Sequence, residues 1–202
     1  ASFTPGTYYL KIFPANAPGS TQLYRFSITA TSPCPSFTQQ PVGGDFCEGA
    51  LVAMTVSATG APAPTYQWRR NGNNINGATG STYAFSGATS AQSGTYDCVA
   101  TNSCSSVPSN PAVIRITSSP EISGQPTNQT VPAGATATFT VISPTPDPLN
   151  YQWTQDGVLL GGANSATLTI TNVALENEGT YRCFLNNLCG TLFSATATLT
   201  IG

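Results

Sequence analysis

The sequence predicts an all-β chain in which an N-terminal β-hairpin precedes two tandem β-sandwiches. Three observations predict it. The chain repeats itself without a gap at an offset of 85 residues, apolar and polar residues alternate in short runs between turn residues, and its polarity comes from hydroxyls and amides instead of charges.

The repeat sets the domain organisation. At the offset of 85, Tyr66-Gln67-Trp68 falls on Tyr151-Gln152-Trp153, and Gly94-Thr95-Tyr96 falls on Gly179-Thr180-Tyr181. Thr55-Val56 meets Thr140-Val141, Cys98 meets Cys183, Cys104 meets Cys189 and Ile116 meets Ile201. Because no gap is needed, the two copies share loop lengths. The expected units are residues 1–33, a hairpin; 34–118, the first sandwich; and 119–202, the second.

Within the second copy, Ala135, Ala137, Phe139 and Val141 alternate with polar neighbours, as a strand with one buried face requires. Tyr151 with Trp153 and Leu168 with Ile170 do the same, and pairs such as Asp156-Gly157 and Gly161-Gly162 separate the runs. No stretch has helical spacing over a useful length.

Only 7% of the residues are charged, against roughly 25% in an ordinary soluble domain. With a net charge of −2 and only Arg69 and Arg70 adjacent, the chain lacks the basic stripe that binding a row of phosphates needs, which excludes nucleic acid and anionic membrane surfaces as expected partners. No apolar run approaches the roughly 20 residues of a spanning helix. Six cysteines in so weakly charged a chain point to an oxidising compartment and secretion. The chain begins at Ala1 without a signal peptide and reads as a mature or excised segment.

The residues that repeat resemble the immunoglobulin fold, in particular the immunoglobulin-like repeats of large bacterial secreted and surface proteins. The hallmarks are a core Trp, matched by Trp68 and Trp153, and a Tyr two residues before a Cys, matched by Tyr96/Cys98 and Tyr181/Cys183. The resemblance implies that all four aromatic residues are core positions and that each Tyr hydroxyl ties a corner of the sandwich. It says little about function, because this sandwich hosts many unrelated roles.

The cysteines depart from that pattern. Antibody-type domains bond this Cys to one on the opposite sheet, but the positions concerned here are Val56 and Val141. Each copy carries instead a second Cys six residues on, in "CVATNSC" and "CFLNNLC". A hairpin with a three-residue turn would place the two opposite each other, with Cα atoms about 4.5 Å apart in a non-hydrogen-bonded pair. The expected bonds are therefore Cys98–Cys104 and Cys183–Cys189, with Cys34–Cys47 by elimination and no free thiol; the alternative is Cys47–Cys98 with Cys34–Cys104.

Residues 1–33 read as two strands, Thr7–Phe13 and Gln22–Thr31, joined by a Pro/Gly/Asn/Ser turn. The segments "PGTYYLKI" and "YRFSI" resemble the last hairpin of the pre-peptidase C-terminal domain of secreted bacterial peptidases. Three readings stay open: a remnant of an upstream domain, a hairpin paired with the first sandwich, or a segment that completes a neighbouring subunit by strand donation.

No catalytic group is expected. The chain has no His, and the eight carboxylates, Asp45, Glu48, Asp97, Glu121, Asp147, Asp156, Glu176 and Glu178, are scattered, with Asp45/Glu48 and Glu176/Glu178 in turns. Neither a zinc nor a calcium ligand spacing occurs, so no metal and no cofactor is expected. Carbohydrate stacking would want exposed rings, but both Trp residues fall in the core; the rings less accounted for include Phe184 and Phe193. Asn128-Gln129-Thr130 is a glycosylation acceptor in a host with the machinery.

The sequence thus predicts a non-enzymatic extracellular spacer or adhesive stalk, with self-association into a filament or an accessory role in a secreted hydrolase as alternatives; the protein or cell-surface glycan partner is not specified. Between Ile116 and Ile122 lie five residues, which span at most about 18 Å, and Pro120 stiffens them. An elongated rod is the expected shape.

Overall fold

A computed structural model describes residues 8–11, 23–26, 33–146 and 148–202. The hairpin at the N-terminus pairs β1 (Tyr8–Lys11) antiparallel with β2 (Leu23–Phe26), in the register Tyr8 to Phe26. The remaining parts of the expected strands Thr7–Phe13 and Gln22–Thr31, and the turn between them, lie outside the described residues, as does Asp147.

The first copy opens with β3 (Ser36–Gln39), β4 (Gly44–Cys47), β5 (Val52–Thr55) and β6 (Ser57–Thr59). It continues with β7 (Thr65–Arg70), β8 (Asn73–Asn74), β9 (Thr82–Phe85), β10 (Gly94–Thr101), β11 (Ser106–Pro108) and β12 (Ala112–Thr117). The second copy has β13 (Gln129–Val131), β14 (Ala137–Thr140), β15 (Asn150–Gln155) and β16 (Val158–Leu159). It ends with β17 (Thr167–Ile170), β18 (Gly179–Asn187), β19 (Gly190–Phe193) and β20 (Ala197–Ile201).

The two copies have the same sheet order. One sheet runs β4-β12-β10-β7-β8 with β11 on β10, and its twin runs β13-β20-β18-β15-β16 with β19 on β18. The facing strands pair as β5 with β9 and β14 with β17. In each copy one outer pair is parallel, β4 with β12 and β13 with β20. The only helical pieces among the described residues are single 3-10 turns at Ser90–Gln92 and Leu175–Asn177.

Local sequence explains the tightest hairpins. β7 and β8 are joined by Asn71-Gly72, and β15 and β16 by Asp156-Gly157, with φ of 50° and 80° in the first pair and 48° and 82° in the second. Two successive positive φ values make the turn whose twist matches a hairpin, and Asn-Gly and Asp-Gly are the dipeptides that adopt it at least cost.

Alternation then fills each core. Val52, Met54, Val56, Trp68, Tyr96, Cys98, Ile114 and Ile116 pack between the sheets of the first copy. Phe139, Val141, Trp153, Tyr181, Cys183, Leu185 and Leu199 do so in the second, with the partly buried Tyr151 against them, as Tyr66 is in the first.

Candidate functional site at the domain junction

Each core is organised around the residues that the repeat singles out. Trp68 and Trp153 have no exposed surface, and each indole N–H donates to a carbonyl twelve residues on, Gly80 and Ser165, at 2.9 Å. The Tyr96 hydroxyl donates to the Gln92 carbonyl and the Tyr181 hydroxyl to that of Asn177, both at 2.7 Å. These bonds tie the 3-10 turn to the strand that follows it.

The expected local disulfides do not form. Cys98 pairs across the sheet with Trp68, and Cys183 with Trp153, so both cysteines face the core. The hairpin register puts Val99 opposite Pro108 and leaves residues 102–105 as the turn. Opposite Cys98 therefore stands Ser109, whose hydroxyl accepts the Cys98 N–H at 2.9 Å, and Ser194 accepts that of Cys183 at 3.0 Å. Cys104 and Cys189 lie beyond the strand pair in the turns, out of reach of a core-facing thiol. Cys98 and Cys183 are free and buried, and burial pushes both thiols up to about 11.

The expected Cys34–Cys47 bond is likewise replaced. Cys34 bonds to Cys104, with Cα atoms 5.0 Å apart, and Cys47 bonds to Cys189, with Cα atoms 5.4 Å apart and a sequence separation of 142. The first bond closes the N-terminal edge of the first sandwich. The second links one sandwich to the other, from the end of β4 to the turn between β18 and β19. In the chain-entropy account, loops of 70 and 142 residues each give about 4–5 kcal/mol.

The junction repeats the geometry of the first sandwich's own edge. Asn102 Nδ2 donates to the Pro33 carbonyl at 3.0 Å, and its repeat equivalent Asn187 Nδ2 donates to the Ser118 carbonyl at 2.8 Å. The same two Asn side chains accept the N–H of Cys104 and Cys189 through Oδ1 at 2.9 and 2.8 Å. At the repeat offset Cys34 corresponds to Ser119, which cannot form a disulfide and donates its hydroxyl to the Cys189 carbonyl at 3.2 Å. Cys189 thus lacks a partner in its own copy. That mismatch in the repeat was the available signal for the interdomain bond.

A groove of about 410 Å³ borders the junction, lined by Asp45, Arg115, Thr117, Pro148, Asn187 and Leu188. Arg115 and Asp45 approach to 3.8 Å but are well exposed, so water screens most of their attraction. On the linker, Pro120 is buried and the Glu121 N–H donates to Thr145 Oγ1 at 2.8 Å.

The other expected positions have structural roles. Glu48 and Glu178 accept the backbone N–H of Ser90 and Ile201 at 3.1 and 2.7 Å, and Asp97 pairs with Arg69. Asp156 accepts the Thr180 N–H and hydroxyl at 2.8 Å, which holds its carboxyl below the usual range. Among the described residues no group of three or more His, Cys, Asp or Glu could hold a metal ion. Asn128 is exposed, and its Oδ1 accepts the Thr198 N–H at 2.9 Å. Phe184 and Phe193 meet as a tilted ring pair, with centroids 5.8 Å apart, on the outer face of the second sandwich, and the Arg182 guanidinium lies 4.5 Å from the Phe193 ring centre.

A family model for the immunoglobulin domain matches residues 35–102 and 119–187, together more than half the chain. Endoglucanase C of Cellulomonas fimi is 32% identical over 187 residues, covering 83% of this chain and 16% of the endoglucanase. The human peroxidasin homolog is 29% identical over 169 residues, covering 77% and 11%. The limbic system-associated membrane protein of Rattus norvegicus is 26% identical over 200 residues, covering 93% and 57%. The chain therefore spans less than two thirds of each of these relatives. The solved structure of Sidekick-1 immunoglobulin domains 1–4 superimposes with a TM-score of 0.71 at 18% identity, over 98% of this chain and 58% of that one, a likeness of fold. Eukaryotic relatives stand beside the bacterial one, so the resemblance broadens from bacterial repeats to the family as a whole.

Proposed function

This chain belongs to the immunoglobulin domain family, and we propose that it serves as a non-catalytic extracellular module, a stiff spacer with adhesive capacity in a larger secreted or surface protein. The observation that carries this reading is the Cys47–Cys189 bond across the junction. A short linker alone limits how far two domains separate but not how they rotate. A covalent link at a second point removes most of that rotation, so the pair transmits force and holds distance as one body. The bond also needs an oxidising compartment to persist, which supports an extracellular location. The exposed Phe193 and Arg182, backed by the half-buried Phe184, supply the aromatic and guanidinium chemistry favoured at protein contacts.

Small-angle scattering and ¹⁵N relaxation on the 202-residue chain, with and without the paired changes Cys47→Ser and Cys189→Ser, test the spacer reading. The wild-type chain should scatter as an elongated particle whose two sandwiches share one correlation time, and the double variant should show two. A compact side-by-side profile, or equal interdomain motion in both proteins, would sink it.

A second reading, an accessory region of a secreted bacterial hydrolase, is supported by the 32% identity to endoglucanase C. The coding sequence that flanks Ala1 and Gly202 discriminates the two, since a hydrolase would place a catalytic domain on the same chain. Electron microscopy of native material tests the filament alternative, which requires a helical repeat.

A further inference from the structure

Away from the junction, the first sandwich has a concave surface built from side chains that its twin does not carry. A cleft of about 420 Å³ beside the β7–β8 turn is lined by Arg70, Asn71, Asn73, Asn74, Tyr83 and Gln92, among others. The Arg70 guanidinium donates from Nη1 to the Ala91 carbonyl at 3.0 Å and has no carboxylate partner among the described residues, whereas Arg69 is paired with Asp97 and Arg115 lies near Asp45. Arg70 also hydrogen-bonds the Tyr96 side chain, and its remaining N–H groups are left for a ligand at the cleft it lines.

The groups around that cation are neutral amides. Gln92 Oε1 accepts the Thr89 N–H at 2.8 Å, so its NH₂ remains to donate. Asn71 Oδ1 accepts the Thr95 N–H at 2.9 Å, and Asn73 Nδ2 donates to the Asn71 carbonyl at 3.3 Å, which fixes the turn that presents them. Asn74 is exposed, and its side chain makes no hydrogen bond among the described residues. Tyr83 is half-buried, with its ring 6.1 Å from that of Tyr96.

The second copy shows that the fold does not need this set. At the repeat offset the positions of Arg70, Asn71, Asn73, Asn74 and Tyr83 hold Gln155, Asp156, Val158, Leu159 and Leu168. Gln155 spends its NH₂ on the carbonyls of Glu176 and Glu178, at 2.8 and 3.2 Å. Val158 and Leu159 are 70% and 62% exposed. The same backbone frame therefore carries a cationic, amide-lined cleft in one sandwich and an anionic, apolar surface in the other.

We propose that the cleft of the first sandwich binds a carboxylate-bearing sugar, such as a uronate residue of an acidic polysaccharide. A guanidinium fork matches the two oxygens of a carboxylate, the Gln92 NH₂ can donate to a ring hydroxyl, and the exposed Asn74 amide offers both a donor and an acceptor. The Tyr83 ring supplies an apolar surface for the C–H face of a sugar. An acidic peptide fits less well, because it brings a carboxylate for Arg70 but no ring hydroxyls for the amides that make up most of the polar lining. The proposal uses no residue of the junction and stands apart from the spacer reading.

The test is a titration of the ¹⁵N-labelled chain with tetragalacturonate, with the neutral galactose tetramer and a glutamate tetrapeptide as comparators. Tetragalacturonate should shift the Arg70 Nε–H and the Asn73, Asn74 and Gln92 side-chain amides while leaving the second sandwich unmoved. Arg70→Gln, which installs the second copy's residue, should weaken binding at least tenfold, and Asn74→Leu should weaken it in the same direction; unchanged spectra elsewhere certify that both variants are folded. No shift with tetragalacturonate, equal shifts with the neutral tetramer, tighter binding of the glutamate peptide, or an Arg70→Gln variant that binds like the wild type would each overturn the proposal.

Discussion

Ser119 donates its hydroxyl to the carbonyl of Cys189 at 3.2 Å, at the place where, one repeat earlier, Cys34 is covalently bonded to Cys104. The exchange of one sulfur for one oxygen redirects the second turn cysteine across the junction to Cys47. Non-reducing peptide mapping should therefore recover Cys34 with Cys104 and Cys47 with Cys189, and no peptide joining Cys98 to Cys104. Thiol titration should count two groups in denaturant and none in the native chain. A native chain that reacts at once with a thiol reagent at neutral pH would contradict the burial of Cys98 and Cys183.

Those two thiols also make stability depend on alkaline pH. Burial raises both from the ordinary 9.0 to about 11, so the folded state favours the protonated form. The stabilising contribution is complete below pH 9 and is lost as pH rises towards 11. Denaturant unfolding should show stability falling across that window, and less steeply in a chain carrying Cys98→Ala and Cys183→Ala. Tyr96 and Tyr181 are also pushed up by burial and titrate in the same direction, so the comparison of slopes isolates the thiols. Equal slopes in the two proteins would contradict the assignment.

Trp153→Ala should cost roughly 3–5 kcal/mol, as truncation of a large core aromatic does, and Trp68→Ala the same. Tyr181→Phe removes only the hydroxyl that holds the Asn177 carbonyl at 2.7 Å and should cost about 1 kcal/mol. Chemical denaturation of the three variants checks the order. A Tyr181→Phe loss as large as that of Trp153→Ala would show that the corner, and not the indole, organises the core.

What the sequence determined by itself was everything that depends on side-chain period and local turn chemistry. The resemblance carried by the repeated motif placed Trp68, Trp153, Tyr96 and Tyr181 in two cores, and Asp156-Gly157 marked a turn that proves to be a hairpin with positive φ. The gapless repeat announced two sandwiches of one design. Only the tertiary structure decided which cysteines meet. Strand alternation turns Cys98 and Cys183 inward, while Cys104 and Cys189 sit in turns whose length is set by register, and a shift of one residue between paired strands changes every facing partner. A bond such as Cys47–Cys189 depends on how two sandwiches are docked, over 142 residues of chain, and no local pattern encodes that distance. The Arg70 cleft was hidden for the same reason, since its lining comes together only when the β7–β8 turn, β9 and the 3-10 turn at Ser90–Gln92 converge on one end of the sheet.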